Sequence, residues 1–191
     1  FQAEDGIRDR VSCLVGSEMC IRDRPYMQEL ADYADASVYL GMPNDLEIIY
    51  VEACRSPATM AIRLGVGSRI PLPSTGMGRA YLAALPEAKL KQLRPRFADQ
   101  FGDEWPRIEK EMDEALDLAR VRGFSMTVGG WVKEACSAGA AIRRRSDNFP
   151  VYTINVGGLR SIITAELLEN ELGPKVLKIA RTIEEVAAGL L

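Results

Sequence analysis

Histidine is absent from all 191 residues. That removes the Ser–His and Cys–His pairs that activate nucleophiles and the commonest transition-metal ligand. Cysteine is scarce: of 4 in the chain, only Cys54 and Cys136 lie beyond the first two dozen residues. Two are too few for a disulfide framework, and a reducing cytoplasm is the expected home. No apolar run approaches the roughly 18 residues that span a bilayer. An excess of charge is missing too. The chain carries 24 Lys and Arg against 27 Asp and Glu, a formal net charge of −3, which offers no broad basic surface to nucleic acid. No metal ligand, cofactor or catalytic residue is therefore expected. An enzyme would need a general base or nucleophile in a pocket, and neither histidine nor paired carboxylates present themselves.

The first 24 residues lack apolar periodicity. Ile-Arg-Asp-Arg recurs at residues 7–10 and 21–24, too short a unit for a solenoid. Gln2–Asp9 and Leu14–Asp23 each resemble a translated sequencing-adapter oligonucleotide. Residues 1–24 are accordingly read as a disordered library artefact and set aside. Residues 25–191 are read as one domain, long enough for a real core.

The rest is organised around Pro71-Leu72-Pro73-Ser74-Thr75-Gly76-Met77-Gly78-Arg79-Ala80. The prolines end a strand, Ser74 and Thr75 are good helix N-caps, and Arg79–Leu85 reads as helix with Pro86 beyond it. Gly76 and Gly78 fall in the first turn, where amide N–H groups lack partners inside the helix. With no side chain to shield them, those amides and the helix dipole suit a small anion such as a carboxylate. The plainer alternative is that the glycines only let the helix pack closely on a sheet.

In chain order, Pro25–Ala36 reads as helix, with Tyr26, Met27, Leu30, Tyr33 and Ala34 on one face. Residues 37–40 and 46–51 read as a hairpin turning at Pro43-Asn44-Asp45. Residues 59–64 read as a third strand and 87–93 as a short helix before Pro95. Trp105–Arg122 is a strongly amphipathic helix stopped by Gly123. Residues 124–128 and 151–156 read as strands, the second ending at Gly157-Gly158. Thr164 opens a last helical region that Gly173-Pro174 breaks and restarts. Hairpin strands with helices before, between and after them predict an α+β fold with an antiparallel sheet.

With its lead-in Gly67-Ser68-Arg69-Ile70, the central stretch resembles the signature of the IclR family of bacterial transcription regulators. From about Pro25 to Leu190 the order of features resembles that family's ligand-sensing C-terminal domain. The resemblance implies an antiparallel sheet of about six strands in a GAF-like or profilin-like arrangement, with packed helices. It implies that an effector lies between the central helix start and the later strands. Carried over by position, the amide donors fall on Gly76 and Met77, and the later polar positions on Thr127, Ser137, Asn155 and Gly157. Met126 and Ala135 would supply apolar walls. The expected effector is a small organic acid, an aromatic one included. The family also implies a homodimer or homotetramer, and a winged helix-turn-helix that nothing ahead of Pro25 supplies; DNA would be met only through that missing part. The rival reading is a GAF-like sensor attached to another output module.

Several candidates also have structural readings. Thr127 and Ser137 could simply hydrogen-bond backbone, whereas Asn155, an amide within an apolar strand, needs partners. Trp131 reads as a surface-packed aromatic rather than a lid. Cys136 reads as a small core residue, and Arg143-Arg144-Arg145 as a solvated turn rather than a DNA patch.

Overall fold

A computed structural model describes residues 19–57 and 64–186. Helix α1 (Met19–Ala34) leads into β1 (Ser37–Asn44), β2 (Glu47–Arg55) and β3 (Arg69–Pro71). Three helices follow: α2 (Gly76–Ala84), α3 (Glu87–Phe101) and α4 (Trp105–Arg122). Strands β4 (Ser125–Val128), β5 (Ala135–Arg143) and β6 (Pro150–Leu159) complete the sheet. A short helical stretch, Ala165–Leu167 then Leu168–Leu172, runs into α5 (Gly173–Val186). The six strands lie in the order β3-β2-β1-β6-β5-β4, every neighbouring pair antiparallel.

Strand alternation sorts residues onto two faces. Val38, Leu40, Ala138, Ala140, Ile142, Ile154 and Val156 face α1 and α5, meeting Met27, Leu30, Leu172, Val176, Ala180 and Ile183 in one core cluster. On the other face, Tyr39, Ile48, Tyr50 and Ile70 meet Met77, Leu82, Phe97, Met112 and Leu116 from α2, α3 and α4. Helix α4 follows its sequence pattern: Trp105, Ile108, Met112, Leu116 and Ala119 are buried, and Gly123 ends it at φ 85°, the left-handed cap that glycine adopts freely.

Several expectations need correcting. Helix α1 begins at Met19, so Pro25 lies inside it. Arg24 pairs with Glu52 at 2.8 Å. Tyr26 and Tyr33 are exposed, and Ala31 is buried in their place; Tyr33 instead lies under the Lys175 ammonium, 4.2 Å from its ring centre. Pro43 and Asn44 belong to β1, and the chain reverses at Asp45, with φ 57°. Helix α3 runs through Pro95 to Phe101, because burial of Leu90 and Phe97 outweighs the lost hydrogen bond. Strand β6 continues through Gly157 and Gly158, which stay paired with Ser137 and Cys136. The chain remains helical through Gly173, where a side chain would collide with the Phe124 ring. The strand expected at residues 59–64 falls almost wholly outside the described residues.

Candidate functional site

The second sheet face does not close completely on its helices. A cavity of about 630 Å³, its open mouth included, lies between the sheet and the start of α2. Register builds the sheet side. Thr127 stands opposite Ser137, Ser137 opposite Gly157, and Gly157 opposite Ser37, in one row across four strands. The next row runs Ser125, Gly139, Asn155, Tyr39. Small and polar residues therefore occupy the face on which β1 and β2 elsewhere carry bulky apolar groups. The cavity is the space they leave.

The helix side comes from Ser74 and Thr75, which line the cavity just ahead of α2. Thr75 is the N-cap: its Oγ1 accepts from the Gly78 N–H at 3.1 Å, and its hydroxyl donates to the Pro71 carbonyl at 2.7 Å. The Gly78 amide is thus satisfied internally, which corrects the expectation that both glycines present bare donors. Gly78 serves packing instead, since a Cβ there would lie 2.2 Å from the Leu72 carbonyl oxygen. The N–H groups of Gly76 and Met77 have no partner among the described residues, as the first turn of a helix leaves them. Gly76 backs onto Ser137, whose Oγ would be 2.6 Å from an added Cβ, and Gly139 passes under Gly76 and Met77, whose backbone atoms would be 3.0 Å from one. Helix start and β5 meet through two glycines.

Thr127, Ser137, Asn155 and Gly157 all line the cavity. Gly76 and Met77 follow directly on the lining Thr75, and the Met77 side chain turns into the second core cluster. Ala135 lines the cavity. Met126 does not: alternation sends it to the opposite face, packed against the first core cluster. Trp131 is about half exposed at the surface, as expected, and also lines the cavity, on a loop pinned by its own N–H to the Ser74 carbonyl at 3.1 Å. Cys136 is buried, and its thiol donates to the Ile163 carbonyl at 3.2 Å.

Sequence reasoning missed the aromatic wall. Tyr39 and Tyr50 stack with ring centres 4.3 Å apart and planes 7° apart, and both line the cavity. Tyr39 shares the face of Asn155 by alternation, a signal present in the sequence. Tyr50 joins it only because β2 carries an extra residue, Val51, opposite the Leu40–Gly41 step of β1, a bulge that shifts the register. Burial pushes the Tyr50 phenol well above its ordinary pKa, the neighbouring Tyr39 adds to this, and a hydrogen bond from Asn155 opposes it. Tyr50 therefore stays neutral at physiological pH.

Three buried polar atoms around the cavity have no protein partner: Ser37 Oγ, Thr127 Oγ1 and Asn155 Oδ1. Their residues are 1%, 8% and 5% exposed. Buried polar groups are ordinarily satisfied, and leaving one unpaired costs about 1–3 kcal/mol. All three residues line the cavity. None of the described lining residues carries a formal charge. Among the described residues no group of His, Cys, Asp and Glu could hold a metal ion, and no helix is long and apolar enough to cross a membrane. In the arginine cluster the backbone N–H of Arg143 donates to Glu184 at 2.7 Å, its guanidinium donates to the Ala84 and Asn148 carbonyls at 3.4 Å, and Arg144 pairs with Asp147 at 2.6 Å.

The same architecture occurs in known proteins. An IclR family regulator from Brucella abortus superposes with a TM-score of 0.86 at 27% identity, covering 94% of this chain and 67% of that one. The inducer-binding domain of an Acinetobacter PobR double mutant, solved with 3-hydroxybenzoic acid, superposes with a TM-score of 0.72 at 12% identity, covering 89% and 99%; that likeness concerns the fold alone. The HTH-type transcriptional regulator TsaQ1/TsaQ2 of Comamonas testosteroni is 22% identical over 163 residues, which are 84% of this chain and 58% of that protein. The chain thus spans little more than half the length of this curated relative. Residues 11–185 match the family described as bacterial transcriptional regulator IclR, C-terminal, a family of regulators and not of enzymes. With its six-stranded antiparallel sheet, GAF-like fold and cavity beside the central helix, this chain belongs to the IclR family and carries its C-terminal effector-binding domain.

Proposed function

We propose that the cavity binds a small organic acid, and that its occupancy controls DNA binding by a winged helix-turn-helix in the whole regulator. The observation that carries this reading is the set of partnerless polar atoms, Ser37 Oγ, Thr127 Oγ1 and Asn155 Oδ1, around one cavity at the start of α2. The acid's carboxylate is held at the Gly76 and Met77 amides, where unpaired N–H groups and the helix dipole favour negative charge. Ser137, packed on Gly76, and Gly157, in register with it, shape that end of the cavity; Thr127 and Asn155 meet the rest of the ligand. The apolar walls leave room for an aromatic acid. The PobR domain solved with 3-hydroxybenzoic acid supports a carboxylic acid as the ligand class. A ligand preferring one arrangement of the domain shifts the regulator's population toward it. The working assembly is a cytoplasmic homodimer or homotetramer, checked by light scattering.

A thermal-shift screen with small carboxylic acids tests the reading. A cognate acid at 100 times its Kd stabilises the fold by about 2.7 kcal/mol; an unmoved melting curve across the whole screen defeats it. The domain proper starts near Pro25, with residues 1–24 foreign. Removing them also takes the first turns of α1, the buried Asp23 and the Arg24–Glu52 pair; a large loss of stability on truncation overturns that boundary.

A further inference from the structure

We infer that Arg79 is a positioning residue for the cavity, holding the lead-in to α2 in place, and that Glu111 on α4 anchors it. The inference rests on the organic-acid reading for what is bound, and on geometry alone for how the helix start is held. Arg79 lies in the first turns of α2, where a cation opposes the helix dipole, and it is only 6% exposed. Both settings are unfavourable for a guanidinium, so its contacts carry the explanation. Its Nε donates to the Pro73 carbonyl at 2.7 Å. The Ser74 carbonyl accepts from the Trp131 N–H at 3.1 Å, and the Thr75 carbonyl from the Arg79 N–H at 2.9 Å. Successive carbonyls ahead of α2 are thus tied down, and Arg79 holds the outer two. Ser74 and Thr75 line the cavity, and Gly76 and Met77 follow directly.

The far end of the side chain faces α4. Nη2 lies 3.7 Å from Glu111 Oε2, too long for a hydrogen bond, and is buried without a hydrogen-bond partner. Burial pulls the guanidinium below its ordinary pKa, and Glu111 opposes this. Glu111 is itself shared, since its Oε1 accepts from Arg107 at 2.8 Å. The planar fork of an arginine can hold a carbonyl and face a carboxylate at once, whereas a lysine ammonium is a point donor. Neither Arg79 nor Glu111 lines the cavity, so each acts on a ligand through the Pro73–Thr75 segment.

A charge merely close to the helix start would also attract an anion, but the two roles predict opposite signs at Glu111. Glu111→Gln keeps the shape and removes a negative charge. If Arg79 acted by charge alone, an acid would bind as well or better; as a positioning residue Arg79 loses its anchor and binding weakens. Binding of benzoate, 4-hydroxybenzoate, butyrate and 3-hydroxybutyrate to the intact chain is measured by calorimetry. Whichever of these the unaltered chain binds, Glu111→Gln weakens it about threefold or more. Arg79→Met weakens it further, and Arg79→Lys recovers only part of that loss. Amide exchange supplies a readout that a general loss of stability does not give. In Glu111→Gln and Arg79→Met the Trp131 N–H, held by Ser74, exchanges about fivefold or more faster relative to the Ala180 N–H inside α5. Full rescue by Arg79→Lys, unchanged or tighter binding in Glu111→Gln, or a Trp131 rate that follows Ala180 overturns the positioning role and leaves the organic-acid reading intact. Absence of binding by all four acids at millimolar concentration overturns that reading, and the exchange rates then decide the role of Arg79. Should Arg79→Met fail to fold, Glu111→Gln, at a half-exposed side chain, decides it.

Discussion

The two faces of the sheet come from the same strands yet solve opposite problems. Along β6, Ile154 and Val156 point to the face covered by α1 and α5 and are fully buried among apolar neighbours. Asn155 and Gly157, between and beyond them, point to the face under α2 and border a cavity. Strand β5 repeats the contrast, with Ala138, Ala140 and Ile142 on one side and Ser137 and Gly139 on the other. The first face maximises apolar contact. The second retains unpaired polar atoms and empty volume, both of which cost stability. Binding sites carry such costs because the groups that would recognise a ligand have no partner without it. One face holds the domain together, and the other is kept unfinished.

Substitutions at neighbouring positions should separate the two roles. The largest effect is expected at Ile154: Ile154→Ala opens a cavity in the finished face and lowers stability by about 2–5 kcal/mol in chemical denaturation. At Gly139, alanine places a Cβ 3.0 Å from the Gly76 carbonyl oxygen and Met77 Cα. Both neighbours are backbone, so the helix start must shift, at about 1–3 kcal/mol, and acid binding measured by calorimetry falls with it.

Cys136 gives a pH test. Burial pushes its thiol up to about 11, while the Gly158 backbone and Arg160 pull it back. The folded protein therefore prefers the neutral thiol. Its stabilising contribution is full below the unfolded thiol's pKa near 9 and is lost as pH climbs from there through about 11. Denaturation across that window should show a fall of about 1–2 kcal/mol that Cys136→Ala lacks.

Asn155→Leu is the sharpest contrast with its neighbour Ile154. It removes an unsatisfied buried acceptor and adds apolar contact, but it also takes away the amide's hydrogen bond to the Tyr50 phenol, so stability changes by no more than about 1 kcal/mol; a loss as large as that at Ile154 would erase the distinction between faces. The smallest effect on stability is at Trp131. Its side chain is half exposed, so Trp131→Ala moves the unfolding free energy by no more than about 0.5 kcal/mol, while acid affinity drops severalfold because the mouth loses its apolar cover. Trp131 fluorescence in the unaltered chain, read against a Trp131→Phe control, reports the same event.

Much of the frame was legible because it rests on local chemistry. Helix α4 shows its apolar stripe, its proline start and its glycine stop within 19 residues of chain. Thr75 is recognisable as a cap, and alternation in β1 and β6 separates Tyr39 and Asn155 from Val38 and Ile154. Helix α3 was misread because Pro95 is a local signal, whereas burial of Phe97 is a distant one. Tyr50 escaped notice because the bulge that turns it toward the cavity is settled by pairing with β1, not by its own neighbours. The Gly76–Ser137 approach joins residues some sixty apart in sequence, beyond the reach of periodicity.

The sequence by itself determined the kinds of element, their order, and which residues could serve as caps, core or polar candidates. These follow from backbone geometry and from the period at which side chains repeat. Only the tertiary structure decided that Ser37, Thr127 and Asn155 surround one cavity, that Gly76 backs onto Ser137, and that two tyrosines form a wall. Partnering is a property of distance between segments, and that distance exists only once β1, β5 and β6 have paired and α2 has settled on them.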